Sequence, residues 1–173
     1  MIGRRELLAL GGFAASWGCG YRVSGKGDLL PKEVRTIAIP HFENATTRVR
    51  LNDSLPSAIS REFIRRTRYR VVADPNEADA ILNGGVLQYI SFPTITDPGS
   101  GRLSGVQILV ILRVRLTERA SGKVLYERQQ FEARQRYEIS SDQVAYFEES
   151  GQGLQRMSEE VARQLVSAIL ESF

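Results

Sequence analysis

The longest regular alternation of apolar and polar positions in this chain lies between residues 106 and 117. One side of this stretch is wholly aliphatic and consists of Val106, Ile108, Val110, Leu112, Val114 and Leu116. The other side is mixed and consists of Gln107, Leu109, Ile111, Arg113, Arg115 and Thr117. Because a period of two sends successive side chains to opposite faces of a β-strand, the pattern predicts a long strand with one buried face.

A turn signal follows this strand at Ser121-Gly122-Lys123, and residues 124–137 return as the predicted hairpin partner. Shorter strands are predicted earlier in the chain at residues 34–40, 69–72 and 80–92. The last of these contains Gly84-Gly85, a pair that predicts a bulge or a bend.

Two stretches instead show the spacing of three and four residues that is typical of amphipathic helices. The first follows the candidate N-caps Asn52 and Asp53 and contains Pro56 in its predicted first turn. The second occupies the C-terminal region after Ser141 or Asp142. Two helices on one face of a mostly antiparallel sheet would bury all of these stripes. The predicted fold is a two-layer α+β sandwich of about four strands with a long hairpin.

The N-terminus has the order of features that defines a lipoprotein export signal. Arg4-Arg5 supplies positive charge, residues 7–15 form an apolar run too short to span a bilayer, and small Ser16 and Gly18 precede Cys19. Cys19 is the only cysteine, and its thiolate is the nucleophile that acylation requires. We expect a signal peptide over residues 1–18, a lipidated tether over 19–33 and one α+β domain over 34–173. The general secretory and twin-arginine export routes both remain open.

Composition narrows the range of functions. The net charge is +3 and arises from nearly equal numbers of acids and bases, so we expect no nucleic-acid partner. His41 is the only histidine, which excludes clusters built on several histidines. Adjacent acids such as Glu159 and Glu160 do not face each other on a helix and make a poor acid and base pair. The sequence therefore predicts a protein without catalytic residues, metal or cofactor.

Arginines on the predicted hairpin are the main candidate binding residues. Guanidinium groups contact phosphate oxygens in pairs of hydrogen bonds, so a sheet face with several arginines suits a phosphorylated lipid or an acidic glycan. Aliphatic neighbours on the same face would suit acyl chains or a protein partner. A solvated face kept soluble by charge would carry such arginines as well. The candidates are Arg113, Arg115, Arg128, Arg134 and Arg136.

From Cys19 onward the chain resembles the LptE family of lipopolysaccharide-assembly lipoproteins. The resemblance covers the first half of the mature chain by motif and the second half only by its long hairpin and terminal helix. The residues that carry it are Cys19-Gly20-Tyr21, Ile37-Ala38-Ile39-Pro40, Phe42, Asn44, Thr46, Glu62-Phe63, Arg66, Tyr69-Arg70-Val71-Val72, Ala78-Asp79-Ala80-Ile81-Leu82 and Gly84.

This resemblance implies a non-catalytic lipoprotein that sits as a plug inside the β-barrel protein LptD and binds lipopolysaccharide directly through basic residues near one end of its sheet. Gly20 after the acylated cysteine implies residence in the outer membrane, facing the periplasm. Because the second half shares no motif, the resemblance assigns no particular arginine. A different class also fits the residues: a lipoprotein adaptor that docks on a periplasmic cell-wall enzyme and activates it. A carrier of small apolar ligands is a third class.

Overall fold

The computed structural model describes residues 30–31, 33–96, 103–138 and 151–173 of the chain. The predicted signal peptide, Cys19, most of the predicted tether and the candidate cap at Ser141 or Asp142 lie outside these residues. Within them, two helices and one mixed sheet form a two-layer α+β structure. The predicted fold class is therefore confirmed.

The sheet has six strands rather than the predicted four or so. They are β1 (Thr36–Ala38), β2 (Glu43–Asn44), β3 (Arg70–Val72), β4 (Ala80–Thr96), β5 (Leu103–Glu118) and β6 (Val124–Glu138). The order across the sheet is β3-β1-β4-β5-β6, with β2 also beside β4. The long strands pair antiparallel, whereas β1, β2 and β3 make only parallel pairs. Strand β2 was missed because two residues are too few to show an alternation.

Helix α1 (Leu51–Arg66) begins earlier than predicted, after Arg50, and no side chain caps it. Pro56 lies inside the helix rather than in its first turn and has no N–H to donate to the carbonyl of Asn52 four residues earlier. The backbone N–H of Phe42 donates to that carbonyl at 3.1 Å instead. Pro56 thus leaves an acceptor that joins α1 to the segment between β1 and β2.

Helix α2 (Gly151–Leu170) runs in the same direction as α1. Ser158 Oγ donates to Ser54 Oγ at 3.0 Å near the start of both helices, and Arg66 donates to Ser167 Oγ at 2.5 Å near their ends. Both helices bury their apolar stripes against the same face of the sheet and form one core with it.

The segment just before β1 is also part of the core. Leu30, which the sequence placed in the tether, is 3% exposed, and its backbone N–H donates to the hydroxyl of Tyr69 at 2.8 Å. Val34 is equally buried. The packed structure therefore includes the last residues of the predicted tether.

A single carboxylate joins the start of β4 to β1. Asp79 Oδ2 accepts hydrogen bonds from the backbone N–H groups of Arg35 and Thr36, each at 2.9 Å, and from Thr36 Oγ1 at 2.8 Å. Donation by Arg35 is the largest of the effects that lower the pKa of Asp79 below its usual value, and the bonds from Thr36 add to it against the opposing effect of burial.

Candidate functional site

The candidate site is the face of β4, β5 and β6 that the helices leave uncovered, here called the outer face. Residues directly opposite in an antiparallel pair share a face, so the registers define rows of side chains across the three strands. The buried residues of β5 mark the helix side, and the residues that alternate with them mark the outer face. These rows divide the outer face into two parts of different character.

At the end near the β5–β6 turn, the outer face carries charges that neutralise each other. Arg113 donates to Glu43 Oε2 at 2.6 Å, and Arg115 donates to Glu127 Oε1 at 3.0 and 2.6 Å. A shallow polar pocket of about 330 Å³ lies between them, lined by Glu43, Asn83, Gly84, Arg113, Arg115 and Gln129. Both arginines therefore already have a carboxylate partner.

At the opposite end, called the far end, apolar residues lie beside arginines. One row runs from Phe92 on β4 through Gln107 on β5 to Arg136 on β6. The next row runs from Ile90 through Leu109 to Arg134. Ile90 and Phe92 are 41% and 38% exposed, so two large apolar side chains lie next to each other at the surface of this end.

The two far-end arginines differ in their partners. Arg134 donates to Glu132 Oε2 on the same strand at 2.9 Å. Arg136 is exposed and has no carboxylate partner among the described residues. Arg136 is therefore the candidate whose guanidinium group is most available to an added anion.

Arg128 lies on the other side of the sheet from the remaining candidates. Its register partner is Val114, which is fully buried, and its guanidinium carbon lies 6.0 Å from the ring centroid of Tyr126. A bulge between Arg128 and Phe131 adds one residue to β6 and reverses the face of every later position. Sequence alternation alone places Arg128 with Arg134 and Arg136, and the structure separates it from them.

A second bulge explains why the sequence missed Ile90 and Phe92. The register of β4 shifts between Val86 and Gln88, so even-numbered residues face the core before this point and the outer face after it. A strict alternation along residues 80–92 would have buried Ile90 together with Leu82. The sequence predicted a bulge or a bend at Gly84-Gly85, and the register shift lies just after this pair, so the sequence indicated a bulge here without giving its exact position.

Within residues 30–31, 33–96, 103–138 and 151–173, no group of three or more His, Cys, Asp or Glu side chains is placed to hold a metal ion. Neither of the two described helices is long and apolar enough to cross a membrane.

These observations define a class of protein: a two-layer α+β domain whose uncovered sheet face is amphipathic. A family model described as lipopolysaccharide-assembly, LptE, matches residues 34–169, so the chain belongs to the LptE family. Membership makes it a lipopolysaccharide-assembly lipoprotein of a non-enzymatic, accessory family. No curated protein matches this chain in sequence.

Several solved structures are similar to the chain. Protein XCC0632 from Xanthomonas campestris is 15% identical with a TM-score of 0.53, and the match covers 82% of this chain and 89% of that one. The hypothetical protein CT253 from Chlamydia trachomatis is 14% identical with a TM-score of 0.52, covering 79% and 96%. The rare lipoprotein B from Shewanella oneidensis is 12% identical with a TM-score of 0.46, covering 79% and 92%. At these identities the first two matches concern the fold alone.

Proposed function

We propose that this chain is the lipoprotein subunit of an outer-membrane lipopolysaccharide translocon, anchored through acylated Cys19 in the periplasmic leaflet. In this role the domain sits as a plug within an LptD-like β-barrel, and its outer face contacts lipopolysaccharide. Family membership supports work in lipopolysaccharide assembly. The anchor follows from the order of charge, apolar run, small residues and cysteine at the N-terminus.

The observation that carries the ligand proposal is the composition of the far end of the outer face. Exposed Ile90 and Phe92 lie in the same rows as Arg134 and Arg136. A lipid with phosphates on a sugar headgroup presents acyl chains and anionic oxygens side by side. It can therefore contact both the apolar residue and the arginine of each row. Apolar contact and guanidinium–phosphate hydrogen bonds would then act together.

The same geometry ranks the five candidate arginines. Arg136 has no carboxylate partner in the described part of the chain, and Arg134 has one exposed partner on its own strand. Arg113 and Arg115 are each held by a carboxylate from another segment, so a phosphate must displace Glu43 or Glu127 to reach them. We therefore assign the main phosphate contacts to Arg134 and Arg136 and a weaker contribution to Arg113 and Arg115. Arg128 faces away and is not part of this site.

The proposal is tested first by affinity purification of the acylated protein from detergent-solubilised outer membranes, followed by identification of the proteins that copurify. A large β-barrel recovered in equal amount would support the plug. Recovery of a periplasmic cell-wall enzyme without any barrel would instead support the adaptor function. Recovery of neither would contradict both, because each requires a stable protein partner.

A further inference from the structure

Glu43 reaches Arg113 across a strand position that carries no side chain. In the registers, Glu43 on β2 lies beside Gly85 on β4, and Gly85 lies opposite Arg113 on β5. A Cβ at position 85 would lie 3.4 Å from Glu43 Cβ and 3.7 Å from Arg113 Nη2. A side chain longer than alanine would therefore occupy the space between the carboxylate and the guanidinium group. Gly85 leaves this space open, and the two charged groups meet at 2.6 Å.

Glu127 occupies the hydrogen-bonding edge of the neighbouring guanidinium group. Both Nε and Nη2 of Arg115 donate to Glu127 Oε1, at 3.0 and 2.6 Å. An arginine uses such a pair of N–H groups when it contacts a phosphate by two parallel hydrogen bonds. The carboxylate is itself held in place, because the same oxygen accepts a hydrogen bond from Gln129 on the same strand. An anion that approaches this edge of Arg115 therefore meets a negative charge.

The pocket between these two arginines would bind anions if the carboxylates were neutral. It has a volume of about 330 Å³, and its lining includes both guanidinium groups and the side-chain amides of Asn83 and Gln129. No residue of this lining carries an apolar side chain. An anion would bind there through charge and hydrogen bonds alone, whether or not it carried acyl chains.

The far end differs because an apolar side chain lies in the row of each arginine. Ile90 lies in the row of Arg134. Phe92 lies in the row of Arg136. Each methylene group of a ligand that is buried there contributes about as much binding free energy as one exposed ion pair. The far end therefore favours anions that carry acyl chains, whereas the end near the turn offers no such preference.

We propose that Glu43 and Glu127 make the outer face selective for acylated phosphosugars, because they exclude anionic headgroups from the end near the turn. A carboxylate about 4 Å from a bound phosphate repels it, and this repulsion is stronger at a protein surface than in bulk water. Phosphates are then bound mainly at the far end, where apolar contact adds to the affinity. This inference rests on the function proposed for the outer face and adds two specificity-determining residues to it.

The test is isothermal titration calorimetry of the full chain with two probes. One is intact lipopolysaccharide, and the other is the water-soluble phosphorylated saccharide that remains when its acyl chains are removed. The wild type is expected to bind the intact lipid and to show no saturable binding of the deacylated probe up to about 1 mM. Glu43→Gln with Glu127→Gln keeps the shape of both side chains and removes their charge. We expect this double variant to bind the deacylated probe with a Kd below about 0.1 mM.

Glu159→Gln with Glu160→Gln is the matched control. It removes the same charge from helix α2, on the opposite side of the sheet, and leaves Arg61 and Arg163 without these carboxylate partners. This control is expected to bind the deacylated probe no better than the wild type, and circular dichroism reports the folding of each variant. Equal gains in both double variants would overturn the proposal, because net charge would then determine the binding.

A combined variant shows where the deacylated probe binds. Arg134→Glu with Arg136→Glu removes the arginines of the far end, and we expect the gain from Glu43→Gln with Glu127→Gln to persist in this background. Loss of the gain would overturn the proposal, because the probe would then bind at the far end.

The two probes also separate this inference from the proposed function. A wild type that does not bind intact lipopolysaccharide would contradict the proposed function and this inference with it. A wild type that binds the intact lipid, together with a glutamine double variant that gains no binding of the deacylated probe, would overturn this inference alone. A wild type that binds both probes equally tightly would also overturn it alone, because the outer face would then not select for acyl chains.

Discussion

The ring of Phe42 lies over the backbone of Gly84, so that a Cβ at position 84 would come within 2.4 Å of the ring. Phe42 follows β1 and is 3% exposed, and Gly84 lies in β4 opposite Val114. No side chain can occupy this position unless the ring moves. The first glycine of Gly84-Gly85 is therefore required by packing rather than by backbone conformation.

We expect Gly84→Ala to destabilise the domain by about 1–3 kcal/mol, because an added methyl group must displace a buried ring. Chemical denaturation followed by circular dichroism measures this loss. Gly85→Ala is the matched control, since a Cβ there meets its nearest atom, Glu43 Cβ, at an ordinary 3.4 Å. An equal effect of both substitutions would show that strand propensity, and not the Phe42 contact, determines the loss.

Removal of the Asp79 carboxylate should destabilise the junction of β1 and β4. Asp79→Ala leaves the N–H groups of Arg35 and Thr36 without their acceptor, and we expect a loss of about 1–3 kcal/mol at neutral pH. Asp53→Ala removes an exposed carboxylate paired with His41 and is expected to cost no more than about 0.5 kcal/mol.

The effect of Asp79 on stability also depends on pH with a definite sign. Because the pKa of Asp79 is lowered in the folded state, its stabilising contribution is fully present above the unfolded value of about 3.9 and is lost as the pH falls through the lower folded value. The difference in free energy of unfolding between wild type and Asp79→Ala should therefore shrink in acid. A difference that stays constant down to about pH 2 would contradict this account.

The hydroxyl of Tyr69 should stabilise the entry of the chain into the domain. Tyr69→Phe leaves the buried N–H of Leu30 without its acceptor, and we expect a loss of about 1–3 kcal/mol in the free energy of unfolding. Tyr126→Phe is the matched control, because the buried Tyr126 hydroxyl has no hydrogen-bond partner within the described residues. Limited proteolysis should then cleave before residue 34 faster in Tyr69→Phe than in the control.

Charge reversal distinguishes the two ends of the outer face. We expect Arg134→Glu with Arg136→Glu to weaken binding to purified lipopolysaccharide at least about tenfold, since two guanidinium–phosphate contacts become repulsive. Arg113→Glu with Arg115→Glu should weaken it less, because those arginines are neutralised by Glu43 and Glu127.

Two controls accompany this binding measurement. Arg68→Glu with Arg156→Glu changes the net charge by the same amount at exposed positions off the outer face, and circular dichroism reports folding. If all three double variants lost affinity equally, net charge rather than a site would determine binding. If reversal at Arg113 and Arg115 had the larger effect, the contact would lie at the end near the turn.

The proposed anchor is tested at Cys19. Cys19→Ser replaces the thiol with a hydroxyl that cannot form the thioether, so we expect loss of metabolic labelling with palmitate and release of the protein from the membrane fraction. Because the chain has no other cysteine, labelling that persists in this variant would show that the lipid is attached elsewhere.

The sequence by itself determined the periodic elements of this protein. The alternation of residues 106–117 predicted β5, the turn at Gly122 matches a backbone φ of +70°, and the stripes of both helices predicted the covered layer. Each of these signals is local, because a period of two or of 3.6 is visible within one element. Fold class followed from them, since two stripes and one apolar sheet face have few ways to be buried together.

Tertiary structure alone decided which residues share the outer face. The bulges in β4 and β6 reverse the face of later positions, which brings Ile90 into the rows of the outer face and removes Arg128 from it. The pairing of Arg113 with Glu43, 70 residues away, neutralises a predicted binding residue. Alternation in the sequence predicts the face that a side chain occupies only as long as the strand register is regular. A one-residue shift in register, which is fixed by packing between strands, reverses the face of later side chains and leaves the local sequence pattern unchanged.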